Sequence, residues 1–479
     1  MRRVDVSAHT RFSDWSGVHA VVAGVGIAGF AAADHLVHLG AQVTVIDSAD
    51  GERQHERAEV LEVIGARIRL GDGDTLPEGA DVLVVSPGLP PTSPVIRAAL
   101  DADVPVWGEL ELAWRLRGEN PAPWLTVTGT NGKTTVTLML VSMLRAAGLR
   151  TAAVGNIGVS LVDAVMDPEG FDVLAVEVGA PQLPFLSSAS PLASVCLNLA
   201  PDHVDLFGSF EAYRDAKARI YAHTQVAAVY SVADPATELM VEEADVVEGC
   251  RAIGITLGVP GRSMLGVVDD LLVDRAFLDD RAGSAQELAS VHDVRPFAPH
   301  NVGNALAAAA LARAYGVPAS AVRDGLRSFE PAGHRIAEVA AVDGIRWVDD
   351  SKATNGHAAQ TSLLAYESVV WIAGGMAKGQ QFDDLVQRTR GRLRAAVLLG
   401  VDRDVVRAAL ARHAPEVPVV EVSRTDTGAM DDVVGAAAAL ARPGDTVLLA
   451  PGCASWDMFD DYAQRGDEFA AAVLRQVAP

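Results

Sequence analysis

Short apolar runs alternate with longer alanine-rich stretches along the whole chain, the pattern of α/β domains built on parallel sheets. Strands are predicted at 20–23, 43–46, 82–85, 125–128, 173–176, 195–199, 369–373, 396–399 and 446–450. Many of these runs end directly in Gly, Ser, Asn or Asp. Ligands of open parallel sheets lie beyond the carboxyl ends of the strands, so these endings are where chemistry is expected. The alanine run at 307–310 reads as part of a helix. Two polar, proline-containing stretches, 117–123 and 328–334, each precede a new strand. Cuts near 118 and 330 divide the chain into three domains, 1–118, 119–330 and 331–479.

Composition narrows the partners. Acidic side chains outnumber basic ones 62 to 39 and leave a formal charge of −23. Such a protein repels phosphate backbones, which argues against a nucleic-acid partner. Anionic small substrates remain open if the site supplies local cations and backbone amides. The first fifteen residues are polar, and the apolar stretch 20–33 carries three glycines. It is too short for a bilayer of about 30 Å, so neither a signal peptide nor a membrane partner is expected. Three scattered cysteines, Cys196, Cys250 and Cys453, offer no metal spacing or disulfide framework, and a cytoplasmic location follows.

The strongest local signal is Gly129, Thr130, Asn131, Gly132, Lys133, Thr134 and Thr135, between a strand and a helical segment. This is the context of a phosphate-binding loop. Glycines let backbone N–H groups approach the phosphates, Lys133 neutralises β/γ oxygens, and Thr134 reaches Mg²⁺. Val127 stands where the general pattern has its first glycine. Glu177 and His203 follow at the ends of two later strands, where a carboxylate and an imidazole can face the phosphates and hold magnesium. By itself His203 reads more readily as a structural or surface histidine, and its place at a strand end beside the phosphate loop reverses that preference.

A second glycine cluster, Gly24, Gly26, Ile27, Ala28 and Gly29, follows the first strand and opens a helix, with Asp47 about 20 residues on. Read alone, it is either a dinucleotide-binding fingerprint for NAD or FAD, or a tight strand–helix turn.

These motifs, with Gly155-Asn-Ile-Gly158, Asp202-His203, Lys217 in Ala216-Lys-Ala-Arg-Ile220, and His300-Asn301, resemble in kind and order those of the Mur ligases, the amino-acid-adding enzymes of peptidoglycan synthesis. The resemblance spans essentially the whole chain. It implies an α/β fold of three domains: a Rossmann-like N-terminal domain, a central P-loop ATPase-type domain and a C-terminal Rossmann-like domain. It makes the chain an ATP-dependent carboxylate–amine ligase working through an acyl phosphate. Lys133, Glu177, His203 and Lys217 would be catalytic. Thr134 and Glu177 would bind one magnesium, and His203 with a carbamylated Lys217 a second. Asn301 and Asn304 would lie near the adenine, and Arg335 and Asp350 would face ATP. The first glycine cluster would hold the UDP part of a sugar nucleotide, and with Asp47, Ser48, Gly88, Asn156 and Gln182 would bind that substrate.

The run Asp350-Ser-Lys-Ala-Thr-Asn355 is similar in wording to the members that add D-glutamate to UDP-N-acetylmuramoyl-L-alanine. Lys352, Thr354, Lys378, Ser455 and Tyr462 would then hold the amino acid. Domain closure would precede chemistry, and the protein would act as a monomer. Cys453 reads as structural. One departure stands out: where the family has two serines and a phenylalanine, this chain has Gly179, Ala180 and Pro181. Two rivals remain, an NAD-dependent oxidoreductase and a non-catalytic nucleotide switch. The first leaves the P-loop unexplained, and the second leaves the lysine-rich third domain unexplained.

Overall fold

The structure, a computed structural model, describes residues 3–202, 204–331, 333–426 and 428–477. Among these residues the strands form three sheets of five, nine and six members. They lie in two compact units, Met1–Val294 with Val302–Phe329, and Arg295–Asn301 with Glu330–Pro479. The first two sheets belong to the first unit and the third sheet to the second.

The first sheet runs Arg67–Leu70, Gln42–Asp47, His19–Ala23, Val82–Val85, Val106–Gly108, all parallel. Its order reverses between His19–Ala23 and Val82–Val85, so the turns after these two strands share the crevice where doubly wound sheets bind ligands. In the second sheet, Trp124–Thr128 is flanked in parallel by Val173–Glu177 and Ala193–Cys196. All three are buried along their whole length, as strands covered on both faces must be. In the third sheet, Thr446–Leu449 lies between Ile345–Asp349 and Val369–Gly374, again in parallel. The turns leaving these three strands therefore emerge together.

Antiparallel strands join the parallel sheets at two edges. Leu271–Asp274 and Gln286–Ser290 extend the second sheet antiparallel, and Ala337–Val342 pairs antiparallel with Ile345–Asp349. The strand expected at 195–199 is Ala193–Cys196. Leu197 N–H still donates to Thr128 O, and the ladder ends beyond it, where Asn198 turns to the phosphate loop.

Two buried glutamates fasten the first sheet's last helix, Glu109–Arg115, to segments of the second domain. Glu109 accepts from Ser160 Oγ at 2.8 Å and Leu161 N at 2.9 Å. Glu111 accepts from Ser187 N, Ser188 N, Ser188 Oγ and Arg115 Nε, all within 2.9 Å. The helix Pro299–Tyr315 carries a block from Ala305 to Ala312 in which every side chain is fully buried. Small side chains let it sit inside the core with neighbours on every side. No helix among the described residues is long and apolar enough to cross a membrane.

Candidate active site

The phosphate loop leaves Trp124–Thr128 and enters the helix Lys133–Ala146 through Gly132, whose φ of 87° belongs to the left-handed region. A Cβ there would also meet Asn304 Oδ1 at 2.6 Å, so the loop needs glycine for conformation and for space. The same contact puts the Asn304 amide against the loop. Asn198 braces it from the other side, accepting from Asn131 N at 2.9 Å and donating to Asn131 O at 3.1 Å. Thr130 Oγ1 is 3.0 Å from the Tyr213 hydroxyl and accepts from Ala200 N.

Two lysines converge on one carbonyl. Lys133 Nζ donates to Gly129 O and Thr130 O, both at 3.0 Å. Lys217 Nζ donates to the same Gly129 O at 2.9 Å and to Thr128 Oγ1 at 3.2 Å. Lys217 is 1% exposed. Burial, and then the neighbouring Lys133 charge, push its amine down to about 7.

Glu177 stands opposite Val127 in the neighbouring strand, at the mouth of the loop. Its Oε1 accepts from Asn156 Nδ2 at 2.9 Å, while its Oε2 is buried without a hydrogen-bond partner. A buried carboxylate oxygen left unpaired is costly, and a hard cation is the usual remedy. The unpaired oxygen of Glu177 therefore suits magnesium. No cluster of three or more His, Cys, Asp or Glu with metal-holding geometry occurs among the described residues. His203 lies outside the described residues. Asn301 is buried, its amide nitrogen donating to Pro296 O at 3.0 Å.

Gln182 Oε1 accepts from Gly179 N at 2.8 Å, and its Nε2 is buried without a partner. A Cβ on Gly179 would lie 3.2 Å from Gln182 Oε1 and 3.4 Å from Asn156 Oδ1. The two amides thus crowd the space a side chain at 179 would enter.

In the first domain, the helix Ile27–His38 begins at Gly26, and Gly26 and Ile27 are exposed. Gly29 packs so tightly on Gly24 that a Cβ would sit 1.8 Å from the Gly24 carbonyl oxygen. Asp47 uses both oxygens on backbone: Oδ2 accepts from Val25 N and Oδ1 from Ala49 N, each at 2.8 Å. It holds the glycine turn in shape. Ser86 Oγ donates to Gly24 O at 3.2 Å, joining the two turns of the crevice. Ser48 packs where Gly73 leaves room, and the space around Gly88 is open.

The second unit gathers the third-domain candidates on neighbouring turns. Lys352 Nζ lies 3.7 Å over the Tyr462 ring, and Lys378 Nζ 3.9 Å over Trp456. Lys378 holds a φ of 51°, a conformation non-glycine residues seldom adopt and one that concentrates at functional sites. A bridge between Met376 and Ala454 ties its turn to that of Ser455, which is 3% exposed. Thr354 N–H donates to Lys352 O at 2.8 Å. Arg335 is flanked by His334 and Ile336, both at positive φ.

Asp349 Oδ2 meets His334 Nδ1 at 2.6 Å. Asp350 accepts from Ile336 N at 3.3 Å and from Ser362 Oγ. Burial raises Asp350 to about 7 despite Ser362 and Arg335. Cys453 is fully buried and burial pushes its thiol up to about 12, which leaves no thiolate for nucleophilic work. Asn198, Tyr213 and Trp456 were not singled out from sequence. Only Asn198, at a strand end beside the loop, carried a signal that could have found it.

A family model described as "Mur ligase MurD-like, N-terminal domain" matches residues 18–108, "Mur ligase middle domain" matches 127–312, and "Mur ligase, glutamate ligase domain" matches 334–453. A protein of Streptomyces coelicolor named UDP-N-acetylmuramoylalanine–D-glutamate ligase is 63% identical, over 96% of this chain and 98% of its own. The protein of that name from Streptomyces avermitilis is 61% identical, over 96% of this chain and 99% of its own. Among solved structures, a pseudomurein peptide ligase type C from Methanothermus fervidus superposes with a TM-score of 0.59 at 16% identity, covering 95% of this chain and 100% of that one. UDP-N-acetylmuramate–alanine ligase from Thermotoga maritima gives 0.54 at 18%, covering 96% and 99%, and these two likenesses bear on the fold alone. With three models tiling it in order and relatives this similar over almost its whole length, the chain belongs to the Mur ligase family.

Proposed function

We propose that this chain is an ATP-dependent ligase that adds D-glutamate to UDP-N-acetylmuramoyl-L-alanine in the cytoplasmic stage of peptidoglycan synthesis. The shared name of its relatives, UDP-N-acetylmuramoylalanine–D-glutamate ligase, supports the substrates, and the family uses ATP and magnesium. The observation that carries the reading is the meeting of Lys133 and Lys217 on the Gly129 carbonyl, near Glu177 with its unpaired oxygen.

The three domains, 1–118, 119–330 and 331–479, take the nucleotide sugar, ATP and the amino acid in turn. Gly24, Gly26, Ile27, Ala28, Gly29, Ser48 and Gly88 hold the UDP part, with Asp47 shaping the turn. Asn156 and Gln182 meet the acyl end, and the buried Gln182 amide compensates for the hydroxyls missing at Gly179 and Ala180. Gly129 to Thr135 cradle the phosphates, Asn301 and Asn304 lie near adenine, and Arg335 and Asp350 face ATP. Lys352, Thr354, Lys378, Ser455 and Tyr462 hold D-glutamate, whose two carboxylates need local cations on a protein of charge −23.

In the reaction, Lys133 swings from the loop carbonyls to the β/γ oxygens and offsets their charge as the substrate carboxylate attacks the γ-phosphorus. ADP leaves and an acyl phosphate remains. Magnesium, when bound at Thr134 and Glu177 and at a second site with His203 and Lys217, supplies further neutralisation of the phosphate oxygens. The amine of D-glutamate then attacks the acyl carbon, and the tetrahedral intermediate expels phosphate. His203 and a carbamylated Lys217 are the two bases on offer for the amine's proton.

Carbamylation requires neutral amine, since Lys–NH₂ and CO₂ give Lys–NH–COO⁻ and a proton. An ordinary lysine is neutral in roughly one copy in 2,500 at pH 7. At about 7, Lys217 is neutral in about half. Protein equilibrated with ¹³C-bicarbonate is expected to show one carbamate resonance that disappears in Lys217→Arg. Its absence from wild type would remove the carbamate and leave His203 as the base.

The direct test is phosphate release from ATP with UDP-N-acetylmuramoyl-L-alanine and a panel of amino acids. Release with D-glutamate, absent with L-glutamate, L-alanine or L-lysine, is expected, with loss of at least about 1,000-fold in Lys133→Ala. Release with another amino acid instead would overturn the acceptor assignment, and release with none would overturn the ligase reading.

A further inference from the structure

Arg465 lies on the last helix, Tyr462–Gln476, and is 1% exposed. Its Nε donates to Ser351 Oγ at 2.9 Å, one terminal nitrogen to Ser351 O at 2.7 Å, and the other to Cys453 O at 3.1 Å. Ser351 Oγ in turn donates to Tyr462 O at 2.7 Å. One guanidinium therefore joins three stretches of chain: the turn after Ile345–Asp349, the turn after Thr446–Leu449, and the first turn of the last helix. Each stretch carries acceptor candidates, Lys352 and Thr354 on the first, Ser455 on the second and Tyr462 on the third.

Taking a guanidinium out of water costs several kcal/mol. Here burial pulls Arg465 down to about 10, against the charges of Asp457 and Asp349. Its donors go to a hydroxyl and two carbonyls rather than to a carboxylate. What the guanidinium adds is a planar fork whose donors hold their partners at fixed angles.

We propose that Arg465 is a positioning residue of the acceptor pocket, bracing the Lys352–Thr354 turn against the Ser455 turn so that together they grip a dicarboxylic amino acid. The proposal rests on the D-glutamate reading above. Two carboxylates on a short carbon chain need two anion-binding groups at one spacing. A brace that fixes the distance between two turns governs affinity for such an acceptor while leaving ATP and the nucleotide sugar alone.

The test begins with wild type. Phosphate release indifferent to D-glutamate would remove the reading on which the brace depends, and release that requires it isolates the proposal. In folded Arg465→Lys, the KM for D-glutamate is expected to rise about tenfold or more, with those for ATP and UDP-N-acetylmuramoyl-L-alanine within about twofold. Ser351→Ala, which takes one partner from the fork and keeps its charge, is expected to shift the D-glutamate KM the same way by a smaller factor. It decides the question if Arg465→Lys does not fold. An unchanged KM for D-glutamate, a fall in kcat alone, or an equal rise in all three KM values overturns the proposal.

Discussion

Asp350 is a carboxyl group that its surroundings keep about half protonated at pH 7. Burial outweighs the Ser362 hydrogen bond and the Arg335 charge, and the group titrates at about 7 rather than 3.8. The folded state thus binds a proton that the unfolded chain has already released between about pH 4 and 7, and stability falls as pH rises through that window. Asp350→Asn is expected to leave the unliganded protein's melting unchanged at pH 4 and to raise it at pH 8. Three pKa units set an upper bound of about 4 kcal/mol. Equal melting at pH 8 would show that the carboxyl is not held in this way. At this scale the sequence was informative where chemistry is written as a contiguous motif, as in Gly129 to Thr135. It was silent on Tyr213 and Arg465, whose partners Thr130 and Ser351 are brought to them only by the fold.

Among the elements, the first glycine cluster is a turn held by backbone contacts. Asp47 spends its carboxylate on Val25 and Ala49, and Gly29 lets its helix lie against the Gly24 carbonyl. Gly29→Ala forces these apart and is expected to destabilise by about 3 kcal/mol, with UDP binding weakened about tenfold or more in calorimetry. Wild-type affinity in this variant would mean that the turn is not the UDP site. Parallel strands such as Val82–Val85 and Val173–Glu177 were legible because burial on both faces writes an uninterrupted apolar run. Arg67–Leu70 and Gln286–Ser290 escaped notice, because strands at or near a sheet edge alternate or carry charge.

For the whole molecule, two compact units imply unfolding that is not two-state. A calorimetric trace is expected to resolve two transitions. Glu111→Ala, which strands the amides of Ser187 and Ser188 and the Arg115 guanidinium, is expected to cost about 3 kcal/mol in one of them. Asp350→Asn at pH 8 should move only the other. Both substitutions shifting a single shared transition would mean that the units unfold as one.

The buried block from Ala305 to Ala312 has a genetic consequence. A single base change in an alanine codon yields valine, threonine, serine, proline, glycine, aspartate or glutamate. Where no side chain touches solvent, the first two overfill the packing, serine brings a hydroxyl into an apolar core, and the acids bury charge. Proline and glycine weaken the helix itself. Almost every one-step missense change at the alanines of this stretch therefore damages the protein, and a saturation library selected for growth should be nearly empty of missense variants at those codons, although their side chains serve packing alone.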